Sequence, residues 1–154
     1  MAIYGAGSNW DGKEMCNDFF ALRQFIIGWD RQKGRDLQAS LAALKIGDII
    51  YLKASSPGSR KLRIKGIGIV TRSFVECVQN GEYDGKTIAD FESFFISVEW
   101  IIQEEFVIQI LPDEGRLTNI RAGTFYEEPL PFVQVKIVER IARDFRPAVK
   151  TKIE

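Results

Sequence analysis

The chain of 154 residues has no histidine and only two cysteines. Histidine is the commonest general base near neutral pH and the commonest metal ligand, so its absence argues against familiar hydrolytic triads and most metal sites. Cys16 and Cys77 stand far apart in unlike contexts, so we expect reduced thiols and no disulfide framework. The sequence also lacks a metal-ligand cluster, a phosphate-binding glycine loop and a dinucleotide fingerprint. We therefore expect no cofactor and no enzymatic activity.

Long hydrophobic runs are missing as well. No apolar segment reaches the roughly 18 residues of a membrane-spanning helix, and the N-terminus lacks the charged and apolar regions of a signal peptide. Apolar residues make up 45% and charged residues 27% of the chain, which is typical of a soluble globular protein. We expect a cytoplasmic protein without a membrane partner. Its length suffices to bury a core as one domain over residues 1–154.

Charge is balanced in total but uneven along the chain. The 21 basic and 21 acidic side chains give a formal net charge of zero, so no net field attracts polyanions. A run without any acid, which we call the basic stripe, contains Lys53, Arg60, Lys61, Arg63, Lys65 and Arg72. The acids concentrate between Glu76 and Glu105. The basic stripe fits two interpretations: its first five members contact nucleic-acid phosphates, or it forms the solvated face of a hairpin.

Hydrophobic spacing predicts two helices early in the chain. Asp11, with Glu14 three residues on, has the form of a capping box, so we expect a first helix from there to about Gln24. Asp36 is a suitable N-cap for a second helix. The apolar face of this second helix contains Leu37, Leu41 and Leu44.

Extended, mostly alternating segments predict about six strands, which are 2–6, 25–29, 49–53, 62–71, 93–103 and 131–140. Trp100 continues the apolar face of its strand, so we expect it in the core. Gly66 and Gly68 share a strand face, which indicates either close approach of a backbone or ring, or sharp barrel curvature. The pattern predicts an α+β domain whose five or six strands curl into a small barrel with two flanking helices.

A tryptophan in a polar loop is the least expected feature. Trp10 stands among Gly, Ser, Asn and Asp, which belong at a surface, and Trp29 follows in a second such segment. Flat rings with hydrogen-bonding neighbours suit a pocket for one nucleobase. The candidate pocket residues are Trp10, Trp29, Asn9, Ser8, Asp30, Tyr4 and Tyr126. Structural alternatives are that Trp29 closes the barrel and that Asp30 bonds a backbone amide.

Several segments, in order, resemble the EVE-like branch of the PUA superfamily. They are Gly5 to Trp10, Ile27-Gly28-Trp29-Asp30, Leu44 to Lys53 with its Gly-Asp pair, and Ile64 to Val70 with Gly-x-Gly. Two later segments, Val98 to Trp100 and Arg121 to Glu127, resemble N-terminal modified-base-recognition domains of modification-dependent restriction GTPases. The resemblance spans most of the chain, from Ile3 to about Ile141.

The resemblance implies a noncatalytic, DNA-binding pseudobarrel that flips a modified base, such as a methylated cytosine or adenine, into an aromatic pocket. It implies that Trp10 and Trp29 are the walls of this pocket. Ser8, Asn9 and Asp30 are implied as rim groups, and the basic stripe as the phosphate contact. The implied setting is a restriction system in antiviral defence, with a nuclease or NTPase partner in cis or in trans.

Two other functions fit the same sequence. Related ASCH-type barrels resemble amidohydrolases that act on modified nucleosides through Thr, Lys and Glu, for which Thr71, Lys53 and Glu99 are the candidates here. A protein-interaction or small-ligand module is the third interpretation, with the acidic segment from Glu76 to Glu92 as the docking element.

Overall fold

The computed structural model describes residues 1–28, 35–54, 59–83, 94–114 and 124–153, with side chains described outside 35–36 and 145–153. The strands in these ranges are β1 Ile3–Ala6, β2 Asn9–Trp10, β3 Lys13–Glu14, β4 Gln24–Ile27, β5 Ile49–Ala54, β6 Lys61–Arg72, β7 Phe94–Ile102, β8 Phe106–Gln109 and β9 Phe125–Glu127. The helices are α1 Cys16–Leu22, α2 Arg35–Ala42, α3 Phe74–Gln79 and α4 Pro131–Ile153. Within these ranges, none of the helices has the length and apolar character needed to cross a bilayer.

One curled sheet organises the molecule. Its strand order is β4-β7-β6-β5-β1-β9, and β8 pairs with the first half of β6. The β1 and β5 strands are parallel, whereas the other pairs are antiparallel. The expected α+β class with a curled sheet is therefore confirmed, and the described residues form more helices than the expected two.

The sheet is buried on both faces. The first core lies on the face that carries α1 and α2, and it includes Phe19, Phe25, Leu41, Leu52, Trp100 and Phe125. The second core lies on the other face beneath α4, and it includes Ile49, Tyr51, Ile64, Tyr126, Val133 and Ile137. Because successive strand residues point to opposite faces, the apolar run of β5 supplies both cores. Trp100 is buried as predicted.

The Gly-Asp pair before β5 ties three parts of the chain together. Gly47 has a φ of +90°, which a residue with a side chain rarely adopts. The carboxylate of Asp48 accepts hydrogen bonds from the backbone N–H groups of Ala2 and Lys45, each at 2.9 Å. Asp48 O also accepts from Val70 N at 2.8 Å. This motif therefore closes the end of the sheet where β1, β5 and β6 meet.

The glycines of β6 receive aromatic rings. A Cβ at Gly66 would lie 2.7 Å from the Phe20 ring, and one at Gly68 would lie 2.8 Å from the Trp100 ring. Close approach of rings, one of the two interpretations of these glycines, is confirmed. Both rings are side chains of this protein, so the two glycines make room for core packing.

The expected first helix begins later than predicted. Asp11 and Gly12 have φ of 48° and 90° and form the turn of the β2–β3 hairpin. Positive φ at both central residues is typical of a type I′ turn, which the sequence Asp-Gly favours. Asp11 therefore forms part of this turn and does not cap a helix. Helix α1 starts at Cys16, with Met15 as an N-cap that makes no side-chain hydrogen bond.

The prediction of a final strand over residues 131–140 is wrong, because this segment is part of α4. Val133 and Ile137 are fully buried, whereas Val135 between them is 53% exposed. Their spacing of four residues satisfies a helix, and Pro131 at the first position is well placed to begin one. Helix α3 was also not predicted, although Ser73 and Glu76 form a capping box at its start.

Candidate functional site

A continuous row of five aromatic rings crosses the first core. Tyr4 stacks on Phe125 with ring centroids 5.1 Å apart and planes within 2°. Phe125 contacts Phe25 at 5.8 Å, Phe25 contacts Phe19 at 5.4 Å, and Phe19 contacts Trp10 at 5.9 Å. The three inner rings are buried, whereas Tyr4 and Trp10 at the two ends are half-buried. We call this set the aromatic row.

Trp10 sits on a hairpin that holds its ring against the backbone. It pairs with Lys13 across the Asp-Gly turn, and Asn9 Oδ1 accepts from Gly12 N at 2.8 Å. A Cβ at Gly28 would lie 2.7 Å from carbons of the Trp10 indole. Gly28 therefore permits the indole to lie directly on the chain at the end of β4. Asn9, which precedes Trp10 on β2, is exposed.

A buried lysine lies at the base of the same hairpin. Lys65 Nζ donates to Ser8 Oγ at 3.0 Å and to Glu14 Oε2 at 2.6 Å. Ser8 Oγ in turn donates to Glu14 Oε1. Ser8 is fully buried and the Lys65 side chain is 6% exposed, whereas that of Glu14 is 43% exposed. We call these three residues the polar cluster, which joins β6 to the hairpin that carries Trp10.

A β-bulge aims Lys65 into the polar cluster. Leu52 pairs with Gly66, but the next residue of β5, Lys53, pairs with Ile64. Lys65 is therefore the extra residue of β6, and a bulge of this kind redirects a side chain. The alternation of β6 also changes here, because Ile64 lies in the second core whereas Val70 lies in the first. The sequence pattern had placed these two residues on one face.

Two pKa shifts follow from this arrangement. Partial burial alone would raise the pKa of Glu14, but hydrogen bonds from Lys65, Ser8 and the Cys16 amide outweigh it and lower the pKa. Burial, with the nearby negative charge of Glu14, raises the pKa of Cys16 to about 11. Glu14 is thus held as a carboxylate and Cys16 as a thiol, and a thiol is a poor nucleophile.

A second hydrogen-bonded cluster lies on the opposite face. Tyr51 Oη donates to Glu128 Oε1 at 2.8 Å and lies 2.9 Å from Tyr126 Oη. Glu128 is 1% exposed and also accepts from Leu130 N at 3.0 Å. Burial, together with Tyr126 and Glu128, raises the pKa of Tyr51 well above 10. This cluster connects β5 and β9 to the start of α4.

The structure brings together only some of the predicted pocket residues. Ser8 and Asn9 lie at the hairpin that carries Trp10, whereas Tyr4 stands at the opposite end of the aromatic row with three rings between it and Trp10. Tyr126 is separated from them, since it is buried in the second core on the other face of the sheet. Trp29 and Asp30 lie outside the described residues.

The basic stripe is divided by the fold. Lys61 and Arg63 are exposed, and Arg60 is half-buried with its guanidinium 3.3 Å from Leu111 O. Lys65 belongs to the polar cluster, and Lys53 lies buried with its ammonium 5.7 Å from the centroid of the Tyr126 ring. Two of the five predicted phosphate contacts are therefore within the protein, and three are at or near its surface.

The three candidate amidohydrolase residues do not lie together in the structure. Thr71 and Glu99 line a surface concavity of about 400 Å³. Lys53 pairs with Ile64, whereas Glu99 pairs with Ile69, five positions further along β6. Because Lys65 is the extra residue of the bulge, the offset along the sheet equals the four residues from Lys53 to Ile49, which is roughly 13 Å at about 3.3 Å per residue. In addition, no group of acidic or cysteine side chains suited to a metal ion occurs in the described part of the chain.

Glu14 is the site residue that the sequence interpretation assigned to another role. Its spacing from Asp11 suggested a helix cap, yet Asp11-Gly12 is also a dipeptide that favours a tight hairpin turn. A hairpin about that turn pairs Asn9 with Glu14. Its link to Lys65 spans 51 residues and has no local signal.

Comparison with known proteins identifies the fold alone. No family model and no curated protein matches the chain. A hypothetical protein from Leishmania major superposes with a TM-score of 0.51 at 13% identity, covering 94% of this chain and 96% of that one. A protein from Pseudomonas putida gives a TM-score of 0.43 at 16% identity, covering 90% and 98%. The chain thus shares the fold of the Leishmania protein over nearly its whole length.

Proposed function

We propose that this protein is a noncatalytic reader of modified nucleobases, with an EVE-like fold of the PUA superfamily. The observation that supports it is the aromatic row, which ends in a half-buried tryptophan whose indole packs against Phe19 and Gly28. A protein that extrudes a base needs flat apolar surface for its faces and fixed polar groups for its rim. Stacking contributes about 1–3 kcal/mol per base, comparable with the few kcal/mol that unstacking costs.

In this proposal the flipped base stacks on Trp10, and Trp29 forms the second wall. Gly28, which lies against the Trp10 indole, immediately precedes Trp29 in the sequence. Asn9 and Asp30 supply rim contacts. Ser8 acts indirectly, because its hydroxyl bonds both Glu14 and Lys65 and thereby holds the hairpin in place. The base is a methylated cytosine or adenine in DNA, and the biological setting is restriction of foreign DNA.

Phosphate contact is assigned to the exposed part of the basic stripe. Lys61 and Arg63 alternate with Leu62 and Ile64 along β6. Leu62 and Ile64 are buried in the second core, so the exposed side chains of Lys61 and Arg63 point away from that core. Each contact with a phosphate adds affinity for any DNA sequence and increases the salt dependence of binding. Cleavage of the bound DNA is assigned to a nuclease or NTPase partner.

Fluorescence anisotropy with matched DNA oligonucleotides tests this proposal. The panel contains 5-methylcytosine, N6-methyladenine or no modification in one sequence. We expect one modified DNA to bind more tightly than the unmodified DNA and Trp10→Ala to abolish the difference. The control is Leu22→Ala, which removes a 55%-exposed apolar side chain from α1. Equal affinity of the wild-type protein for every oligonucleotide contradicts the proposal.

The phosphate contact is tested separately. Lys61→Ala should weaken binding to modified and unmodified DNA alike and reduce the salt slope by about one unit. Lys136→Ala removes one lysine from α4, on the other side of the second core, and is the charge-matched control. Equal effects of the two substitutions would indicate a response to net charge and contradict a local contact.

A further inference from the structure

We infer that Gln38 is a specificity-determining residue whose buried side-chain amide pairs with the hydrogen-bonding edge of the bound base. This inference rests on the proposed function and extends it to a residue of α2.

The amide of Gln38 is buried without a partner. The residue is 4% exposed, and neither Nε2 nor Oε1 has a hydrogen-bond partner among the residues that the structure describes. Burying an amide in this state is costly, since it loses its hydrogen bonds to water without replacement. Native proteins pair most buried polar groups, and an exception points to a bound molecule or to a functional requirement. Gln38 offers both a donor and an acceptor in need of a partner.

The fold directs Gln38 to the same side of the sheet as the aromatic row. Gln38 and Leu41 are three residues apart, so they share a face of α2. Leu41 is fully buried in the first core, and Leu37 packs against that core. Helix α2 contacts β7, whose first residue, Phe94, pairs with Ile27 just before Gly28. Helix α2 also contacts α3, and the unpaired amide lies on the helix face that packs toward the first core, which contains the aromatic row.

The chemistry of the amide matches a nucleobase edge. A glutamine presents one donor and one acceptor in a single plane, and this pair bonds bidentately to adjacent acceptor and donor atoms of adenine. Cytosine has the same adjacent arrangement in its exocyclic amine and ring nitrogen. Methylation at C5 of cytosine leaves that edge intact, and a single methyl group on the adenine amine leaves one N–H. The ligand class is thus a base with a donor next to an acceptor.

The test combines stability and binding in Gln38→Leu, with Gln79→Leu on the exposed end of α3 as control. Gln38→Leu removes an unpaired amide at similar volume, so its urea unfolding midpoint should equal or exceed that of the wild-type protein. Its affinity for the preferred modified DNA should fall about tenfold or more, while affinity for unmodified DNA is unchanged, because in the proposed function only the modified base is flipped into the pocket. Gln38→Met, which keeps a similar length but has no N–H donor and no amide acceptor, should show the same loss of discrimination.

Each outcome has a distinct meaning. A lower unfolding midpoint for Gln38→Leu would show that the amide is bonded within the protein and would overturn the inference. Wild-type discrimination that persists in Gln38→Leu would also overturn it, as expected if the amide binds only a buried water. Failure of the proposed function appears instead in the wild-type protein, as equal affinity for modified and unmodified DNA.

Discussion

Lys65 Nζ lies 2.6 Å from Glu14 Oε2, and this ion pair connects the bulge of β6 to the hairpin that presents Trp10. The lysine is 6% exposed, so its ammonium has little contact with water. Glu14 is 43% exposed, so only the lysine side of the pair is buried, and removal of Glu14 alone leaves that ammonium without its charged acceptor. The position of Trp10 therefore depends on a residue far away in the sequence.

A double-mutant cycle tests this ion pair. Glu14→Gln should lower the free energy of unfolding by about 0.5–1.5 kcal/mol, because the buried ammonium loses its charged acceptor while water already screens the half-exposed carboxylate. Lys65→Met combined with Glu14→Gln should recover part of this loss, since no charge then remains buried. Urea unfolding of the four proteins measures the coupling. Strictly additive effects would show that the two side chains do not interact.

The depressed pKa of Glu14 predicts an acid-dependent loss of stability. Its carboxylate form is stabilised in the folded protein, so its contribution is complete above the ordinary value of 4.5. The contribution is lost as pH falls from there through the lower folded-state pKa. Wild-type protein should therefore lose more stability below about pH 4.5 than Glu14→Gln does, in parallel unfolding series. Identical pH profiles would contradict the assignment.

The contact between Gly28 and Trp10 predicts a selective effect of adding a methyl group. Gly28→Ala places a Cβ 2.7 Å from the indole, so the ring must move, at a cost of about 1–3 kcal/mol. Gly7→Ala is the control, because its Cβ would lie 3.9 Å from Thr124 O, an ordinary contact. Near-ultraviolet circular dichroism should change in the first variant alone. An unchanged spectrum and midpoint for Gly28→Ala would show that the ring is not seated there.

The buried tyrosine cluster predicts a stability difference between two Tyr→Phe substitutions. Tyr51→Phe removes the hydroxyl that donates to Glu128 at 2.8 Å, which should cost about 1.5–3 kcal/mol. Tyr4→Phe keeps the ring that stacks on Phe125, so its effect should stay within about 0.5 kcal/mol. Thermal or urea unfolding compares them. Equal losses would mean that the Tyr51 hydroxyl does not stabilise the buried carboxylate.

Local pattern is a good guide to much of this fold. The positions of the strands now seen as β5, β6 and β7, and the leucine spacing of α2, depend only on neighbouring residues and were predicted correctly, although the bulge in β6 changed which face its residues occupy. The same reasoning failed at Val133 and Ile137, because residues four apart coincide on one face of both a helix and a strand. It also failed at Asp11, where the capping and turn signals overlap.

The candidate site was less accessible to such reasoning. The polar neighbours of Trp10 marked its hairpin as unusual, but nothing local connects Ser8 with Lys65, 57 residues away. That contact depends on a one-residue bulge, which turns Lys65 out of the alternation of β6. Likewise, Tyr126 was predicted to line the pocket, but its pairing with Gly5 places it on the opposite face of the sheet, in the second core.

Composition and short-range pattern are sufficient to establish an α+β chain with no histidine chemistry, a buried Trp100 and an anomalous Trp10. These properties depend on residues that are neighbours in sequence, so they can be derived before folding is considered. The aromatic row, the polar cluster and the unpaired amide of Gln38 emerge only in the folded chain. They depend on strand register and helix placement, since a shift of one residue sends a side chain to the other face of the sheet.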